Sequence, residues 1–423
     1  MSVVPAQPSG VVIVGAGHAG VQLAESLRHR GFGNPITLIG EEADEPYERP
    51  PLTKQFLNGS TELTPLRGND FYRNRSIDLR LGRRVVNIVR SQNKVVLDDG
   101  EFIEYQNLVL ATGARSRPFQ GTIDASAASV VHTIRTAADA QTFTSQLDSA
   151  RSLVIVGAGF IGLEVAAAAR KRGISVSIVA AGRPLSRIAS PTLSDFLLAA
   201  HRGQDSRFRF DRVSSIMAVV GSQTQVSLLS GDRLYGDLVL IAIGSIPNVE
   251  LAASAGLAVS NGVEVDEYGM TSDENIWAIG DVASRSNGSG GRTREESIQA
   301  AGEQARCLAA TLTGIPTICT EVPWFWSNQG ALRLQIAGIA SSQSSTVVRG
   351  DIEQGRFSVF AFDGDALRAV ESVNSPKDHI SSRRILARGV DLLPQQAADL
   401  SFDLKAHSHS TATGQPMSGR LDT

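Results

Sequence analysis

LVIVGAGFIGLEVAAAARKRGISVSIVAAGRP, residues 153–184, decides how this chain folds. A short apolar strand enters a Gly-x-Gly-x-x-Gly turn at Gly157, Gly159 and Gly162. An Ala-rich helix and a second apolar strand follow. The first glycine permits a tight turn, the second lets the backbone approach a pyrophosphate, and the third lets the helix pack on the sheet. The helix N-terminus then offers N–H groups to the phosphate charge. In such a unit an acid about 20 residues further on accepts the ribose hydroxyls. Here Ala180 and Ala181 stand at that place.

The unit occurs twice. Residues 11–41 read VVIVGAGHAGVQLAESLRHRGFGNPITLIGE, with glycines at Gly15, Gly17 and Gly20. The second strand of this copy does end in an acid, Glu41, 21 residues after the third glycine. A single glycine motif is weak; two, each set between a strand and a helix, are specific. A second echo supports a duplication. QNLVLATG (106–113, with Ala111, Thr112 and Gly113) and GDLVLIAIG (236–244, ending in Gly244) are buried-type strands running into glycine turns. A last strand, Ile276 to Ile279, ends in Gly280-Asp281 and should return to the first domain.

The expected class is α/β: two Rossmann-like nucleotide-binding domains and a smaller α+β C-terminal domain. The expected boundaries are 1–117 and 246–320 for the first nucleotide domain, 118–245 for the second, and 321–405 for the third. In the third, LQIAG, VVRGD and FSVFAFDGDALRAVESVN read as short strands, with a helix from about residue 376. Residues 406–423, AHSHSTATGQPMSGRLDT, read as a disordered tail in which His407 and His409 carry no metal.

Composition narrows the function. The chain has 423 residues, is 20% charged and has a net charge of −3, so no nucleic-acid partner is indicated. Met1 to Gly17 contains no basic residue, unlike a signal peptide. There is no apolar run of membrane-spanning length. A cytoplasmic monomer is the expectation. Cys307 and Cys319 form no CxxC and no ligand cluster. They read as buried thiols, one on a helix and one in a strand region after it, leaving no paired cysteine to carry electrons.

Gly15-Ala-Gly-His-Ala-Gly, Ala111-Thr-Gly, Gly157-Ala-Gly-Phe-Ile-Gly and Gly280-Asp281, in that order, resemble the two-dinucleotide-binding flavoproteins, which share a glutathione reductase-like fold. Tyr47-Glu-Arg-Pro-Pro-Leu-Thr-Lys54 and Trp324-Phe-Trp-Ser327 are similar to the ferredoxin reductases of oxygenase systems, the putidaredoxin and rhodocoxin reductase group. The resemblance covers about residues 10 to 390. It implies FAD in the first site, NADH or NADPH in the second, and a small iron–sulfur ferredoxin as external one-electron partner.

The resemblance also implies roles. Gly15, Gly17, His18, Ala19 and Gly20 line the FAD pyrophosphate, Glu41 holds the adenosine ribose, and the backbone of Val85 reads adenine. Arg49 and Lys54 approach the ribityl chain and the flavin ring. Asp281 accepts a ribityl hydroxyl, Arg135 is a further FAD contact, and Ile298 faces the pyrimidine side. Ala111, Thr112, Gly113 and Gly280 complete that site. Gly157, Gly159, Phe160, Ile161, Gly162, Ala180, Arg183 and Gly244 form the nicotinamide nucleotide site. Glu164 pairs with Lys54, whose charge steadies the reduced flavin, and Trp326 lies against the flavin.

Blander readings stand beside these. Arg49 and Lys54 fit a solvated loop, Glu41 a surface acid, Asp281 a helix N-cap, and the Trp324 ring core packing. Ala180 departs from the family's usual acid. Without it, rejection of a 2′-phosphate is relaxed, and Arg183 is near enough in sequence to meet one, so NADH and NADPH both stay open. AHRGQDSRFRFD, 200–211, is a second departure, shorter than the family's usual passage. Alternative functions are a reductase of quinone, rubredoxin or monodehydroascorbate, or a flavin-binding signalling protein. Acidic ferredoxins call for a basic rim, with Arg306 the first candidate and Arg73, Arg75 and Arg333 behind it.

Overall fold

The computed structural model describes residues 10–60, 62–68, 70–219, 223–286, 291–341 and 343–410. The chain divides into two compact units. Unit 1 comprises 1–48, 63–115 and 245–321; unit 2 comprises 49–62, 116–244 and 322–423. The ERPPLTK loop, expected with the first nucleotide domain, thus belongs to unit 2. The reason is physical: Thr53 and Lys54 both bind Glu164.

Unit 1 is built on a five-stranded sheet in the order Ile276–Ala278, Asn107–Leu110, Val11–Val14, Ile36–Ile39, Ile77–Arg80. All four pairings are parallel. The central strand VVIV is buried at every position. That is why it reads as a continuous apolar run: parallel strands are covered on both faces. The helices His18–His29 and Ile298–Leu312 pack together within one core cluster. The opposite face is closed by Val85, Ile88, Val95 and Leu97. The returning strand Ile276–Ala278 pairs with Asn107–Leu110, as expected for a chain that leaves the first domain and comes back.

Unit 2 repeats the pattern. Its parallel sheet runs Val131–His132, Leu238–Ile241, Ser152–Val156, Ser175–Ala180, Arg207–Phe210. Here the outer strand comes from sequence before the glycine motif rather than after it. The passage 200–211 is short, with the helix Pro191–Gly203 followed directly by the strand Arg207–Phe210.

The C-terminal part of unit 2 is a five-stranded antiparallel sheet, ordered Trp324–Gln329, Leu332–Gly338, Ala366–Val373, Arg356–Asp363, Ser345–Asp351. The helix Pro376–Arg388 packs on it. Buried Arg349 donates to the carbonyls of Ala397, Asp399, Leu400 and Phe402 and pairs with Asp378. A guanidinium has five donors in a fixed fork, so one side chain ties down the whole following segment. The tail begins later than the expected residue 406. Leu404–His407 form a helix capped by Asp403, and His407 Nε2 lies 2.7 Å from the Asp391 carbonyl. Residues 411–423, the rest of that expected tail, lie outside the described residues.

His379 on the helix Pro376–Arg388 is 1% exposed and stacks 5.6 Å from the Trp324 ring. Burial, aided by Arg383 and Arg333, pushes its pKa down to about 4 from 6.5. The unfolded chain then binds the extra proton first, so stability falls as pH drops from 6.5 towards 4 and this contribution levels off below that. His379→Met should flatten that part of the pH–stability curve measured by urea unfolding. An unchanged slope would show that other groups carry the acid sensitivity.

Candidate functional site

In unit 1, packing forces two of the three glycines of the first turn. A Cβ on Gly15 would stand 2.1 Å from the Ala111 carbonyl oxygen, and one on Gly20 would stand 2.0 Å from that of Gly15. Gly15 also has φ +117°, which L side chains rarely adopt. Gly17 is different: a Cβ there would meet nothing within 4 Å. The fold leaves that position open, as a backbone that approaches a pyrophosphate must be. The helix it opens, His18–His29, has no side-chain cap. Helices elsewhere in the chain are capped by Thr136, Ser190 and Ser297. Uncapped amides and the positive end of the helix dipole beside open space suit an anion.

The other unit 1 residues are placed as follows. Glu41 ends its strand with a largely exposed carboxylate, 3.7 Å from Arg84. Val85 is buried. Thr112 and Gly113 are fixed by Asn248, whose Nδ2 donates to the Thr112 carbonyl at 2.8 Å and whose backbone N–H donates to Gly113 at 3.0 Å. The Gly280 N–H donates to buried Gln304 at 2.7 Å, and a Cβ on Gly280 would stand 3.0 Å from Ala19 Cβ. The Asp281 carbonyl accepts from Arg294 at 3.1 Å. Ile298 is the first residue of the helix capped by Ser297.

In unit 2 the second turn repeats the first. Cβ atoms on Gly157 and Gly162 would stand 2.2 Å from the Ala242 oxygen and 2.3 Å from the Gly157 oxygen. At Gly159 the nearest atom lies 3.9 Å away, and the helix Phe160–Lys171 likewise has no side-chain cap. The Phe160 ring lies 4.1 Å from that of Phe325, while Ile161 is exposed. Gly244 adopts φ +102°. Ala180 is buried at its strand end. Arg183 is held in an ion pair with Asp195 on the helix Pro191–Gly203.

Glu164 is the electrostatic centre of unit 2. It is 5% exposed, and a lone carboxylate there would lose its hydration without return. Three partners compensate. Lys54 Nζ lies 2.9 Å and Thr53 Oγ1 2.6 Å from Oε2, and Ser327 Oγ donates to Oε1 at 2.7 Å. Ser327 in turn accepts from Gln329 Nε2 at 3.3 Å, and Gln329 Oε1 meets His201 Nε2 at 2.9 Å. Burial lowers the pKa of His201, so it is neutral and suited to donating there. The expected Lys54–Glu164 pair is present. Thr53, Ser327, Gln329 and His201 carry no sequence signal beyond standing in or near the quoted motifs. Close by in sequence, Arg49 Nη1 donates to the Arg135 carbonyl at 2.7 Å, joining two further predicted residues. Trp326 is half-buried, its ring 5.7 Å from Trp324; Trp324 itself lies under the Arg383 guanidinium at 4.1 Å.

Among the described residues no group of His, Cys, Asp or Glu is arranged to hold a metal ion. No helix among them is long and apolar enough to cross a membrane.

Residues 9–305 match the model of the pyridine nucleotide-disulphide oxidoreductases, and residues 324–408 match the reductase C-terminal domain. The chain belongs to the pyridine nucleotide-disulphide oxidoreductase family. Within that family it stands with the ferredoxin reductases of oxygenase systems. It is 47% identical to a rhodocoxin reductase from Rhodococcus erythropolis, with 93% of each chain covered. A ferredoxin reductase from Rhodopseudomonas palustris superposes with a TM-score of 0.91 at 40% identity, over 95% of this chain and 100% of that one. Putidaredoxin reductase, in its covalent complex with putidaredoxin, gives 0.90 at 37%, over 95% and 98%. Members of this family use FAD and a nicotinamide nucleotide. The two open glycine cradles of this chain fit two such dinucleotides.

Glu164→Leu would strand Lys54 and two hydroxyls, and should cost about 3–5 kcal/mol of stability. Ser327→Ala removes one neutral donor and should cost about 1–3 kcal/mol. Urea unfolding of both variants checks the order; equal losses would remove Glu164 from the centre of the network.

Proposed function

We propose that this chain is an FAD-dependent NAD(P)H:ferredoxin reductase serving a monooxygenase or a ring-hydroxylating dioxygenase. The observation that carries the reading is the pair of matching glycine cradles, each with two sterically forced glycines, an open middle glycine and a helix start without a side-chain cap. The relatives named as ferredoxin reductases, and the neighbour solved in a covalent complex with putidaredoxin, support a ferredoxin as the electron acceptor. FAD, when bound, takes a hydride as a two-electron unit and releases electrons singly. The protein supplies the rest by position and charge.

In this reading the turn at Gly15–Gly20 binds the FAD pyrophosphate and Glu41 the adenosine ribose. His18, Ala19, Val85, Ala111, Thr112, Gly113, Gly280, Asp281 and Ile298 complete the unit 1 contacts. Arg49 and Arg135, which are bonded to each other, are two further FAD contacts in this reading. Lys54, oriented by Glu164, supplies a fixed cation where negative charge collects on reduction. Trp326 shields the ring from water. The turn at Gly157–Gly162, with Phe160, Ile161 and Gly244, binds the nicotinamide nucleotide. A cytoplasmic location goes with this reading, since that is where the nicotinamide nucleotide pool lies.

The missing acid at Ala180 leaves the choice of nucleotide to its surroundings. The Arg183–Asp195 pair favours NADH: Asp195 occupies the guanidinium that a 2′-phosphate would need and adds a negative charge nearby. Stopped-flow flavin reduction should therefore be faster with NADH than with NADPH, and Asp195→Asn should narrow the gap. Equal rates in the parent protein would overturn the NADH preference. No reduction by either nucleotide would remove the reductase reading.

The acceptor is an acidic ferredoxin. Arg306 is half-exposed on the helix Ile298–Leu312 and pairs with Glu303 at 2.7 Å. Arg73 pairs with Asp70, and Arg75 lies 5.1 Å over the Phe71 ring. Arg306→Glu should lower ferredoxin-linked turnover several-fold while ferricyanide turnover holds. Equal loss in both assays would exclude Arg306 from the docking surface.

A further inference from the structure

Cys307 and Cys319 are 12 positions apart in sequence, and in the fold both pack against Glu303. Cys307 is buried on the helix Ile298–Leu312. After that helix the chain reverses and runs back along it. The Ile315 N–H donates to the Ala310 carbonyl at 2.9 Å, and the Thr317 N–H to Thr311 Oγ1 at 3.1 Å. Cys319 is half-buried in this return and lies in no strand, contrary to expectation. Its sulfur lies 3.8 Å from the Glu303 carbonyl oxygen, and the Cys307 sulfur lies 3.4 Å from Glu303 Oε1. Both sulfurs thus donate to the same residue, Glu303, one to its side chain and one to its backbone.

We propose that Cys307 and Cys319 form a redox-sensitive dithiol, a modification site that peroxide converts to an intramolecular disulfide. The roles of the two sulfurs differ. Cys319 is the more accessible. Its thiol pKa is lowered by the neighbouring Cys307 thiol, with a further contribution from Arg285, whose guanidinium donates to the Cys319 carbonyl at 3.4 Å. Thiolate character and access are what make a cysteine react. The Cys307 thiol is held in the opposite direction, by Cys319 and by burial. It therefore waits as the resolving group.

The chemistry balances. The Cys319 thiolate attacks one oxygen of hydrogen peroxide, the O–O bond breaks, and hydroxide leaves with a proton as water. Cys319 is then a sulfenic acid. Cys307 sulfur attacks Cys319 sulfur, and Glu303 passes the Cys307 proton to the leaving hydroxyl, so that the second oxygen departs as water. Two thiols are oxidised by two electrons and one peroxide is reduced to two waters. The pair is nine residues along the helix from Ile298, roughly 14 Å. It is thus separate from the Ile298 end of the helix that the cofactor reading uses.

The test uses the full-length, FAD-loaded protein. It is titrated with hydrogen peroxide, quenched with N-ethylmaleimide and digested with trypsin. Cleavage after Arg306 and Arg333 leaves both cysteines in one peptide, 307–333. The expected product carries no label and is lighter by two hydrogens, and dithiothreitol before quenching restores both labels. In Cys307→Ser, Cys319 should stop at a sulfenic acid that dimedone captures; in Cys319→Ser, Cys307 should keep its label. Retention of both labels, over-oxidation of Cys319 with Cys307 still labelled, or a cross-link between two chains would each overturn the proposal.

Discussion

In each nucleotide-binding unit a glycine is pressed against a carbonyl at the end of the neighbouring strand. Gly15 faces Ala111, and Gly157 faces Ala242, at separations no Cβ can share. This contact brings the glycine-bearing strand and its neighbour together where both end. The same turn starts a helix whose amides find no side-chain cap. The parallel sheet, the exposed helix terminus and the open middle glycine thus follow from one steric constraint applied twice.

Glu164 shows a second constraint, of charge rather than shape. A carboxylate in the second turn of an apolar helix is costly alone, so the chain surrounds it with an ammonium and two hydroxyls. Those groups come from the 49–62 loop and from the first strand of the antiparallel sheet. One buried charge therefore draws three distant stretches of unit 2 to a common point. The extension through Ser327 and Gln329 to His201 leaves both Glu164 oxygens bonded and orients the carboxylate against rotation. An oriented carboxylate in turn fixes where the lysine charge sits.

Tertiary neighbours also change what single residues mean. Arg183 in sequence is a spare cation near a ribose site; in the fold its charge is met by Asp195. Cys307 and Cys319 in sequence are separate thiols; the reversal after residue 312 joins them. His407 and His409 in sequence begin a polar tail, yet His407 is bound to the Asp391 carbonyl and His409 approaches Arg384.

The sequence by itself determined the two nucleotide-binding units, the returning strand and a third part of short strands followed by a helix. These rest on local signals: glycine spacing, continuous apolar runs and alternation, all set by interactions between near neighbours in the chain. It also marked Glu164, because a charge in an apolar helix needs a counter-charge; that Lys54 supplies it was implied by the resemblance of the 47–54 stretch to the ferredoxin reductases. Only the tertiary structure decided that Thr53 and Ser327 complete that pair, that Asn248 and Gln304 brace the turns at Thr112 and Gly280, and that the two cysteines meet. Hydroxyl, amide and thiol side chains are short and serve many environments, so their partners are fixed by packing over long sequence separations and leave no pattern in the chain.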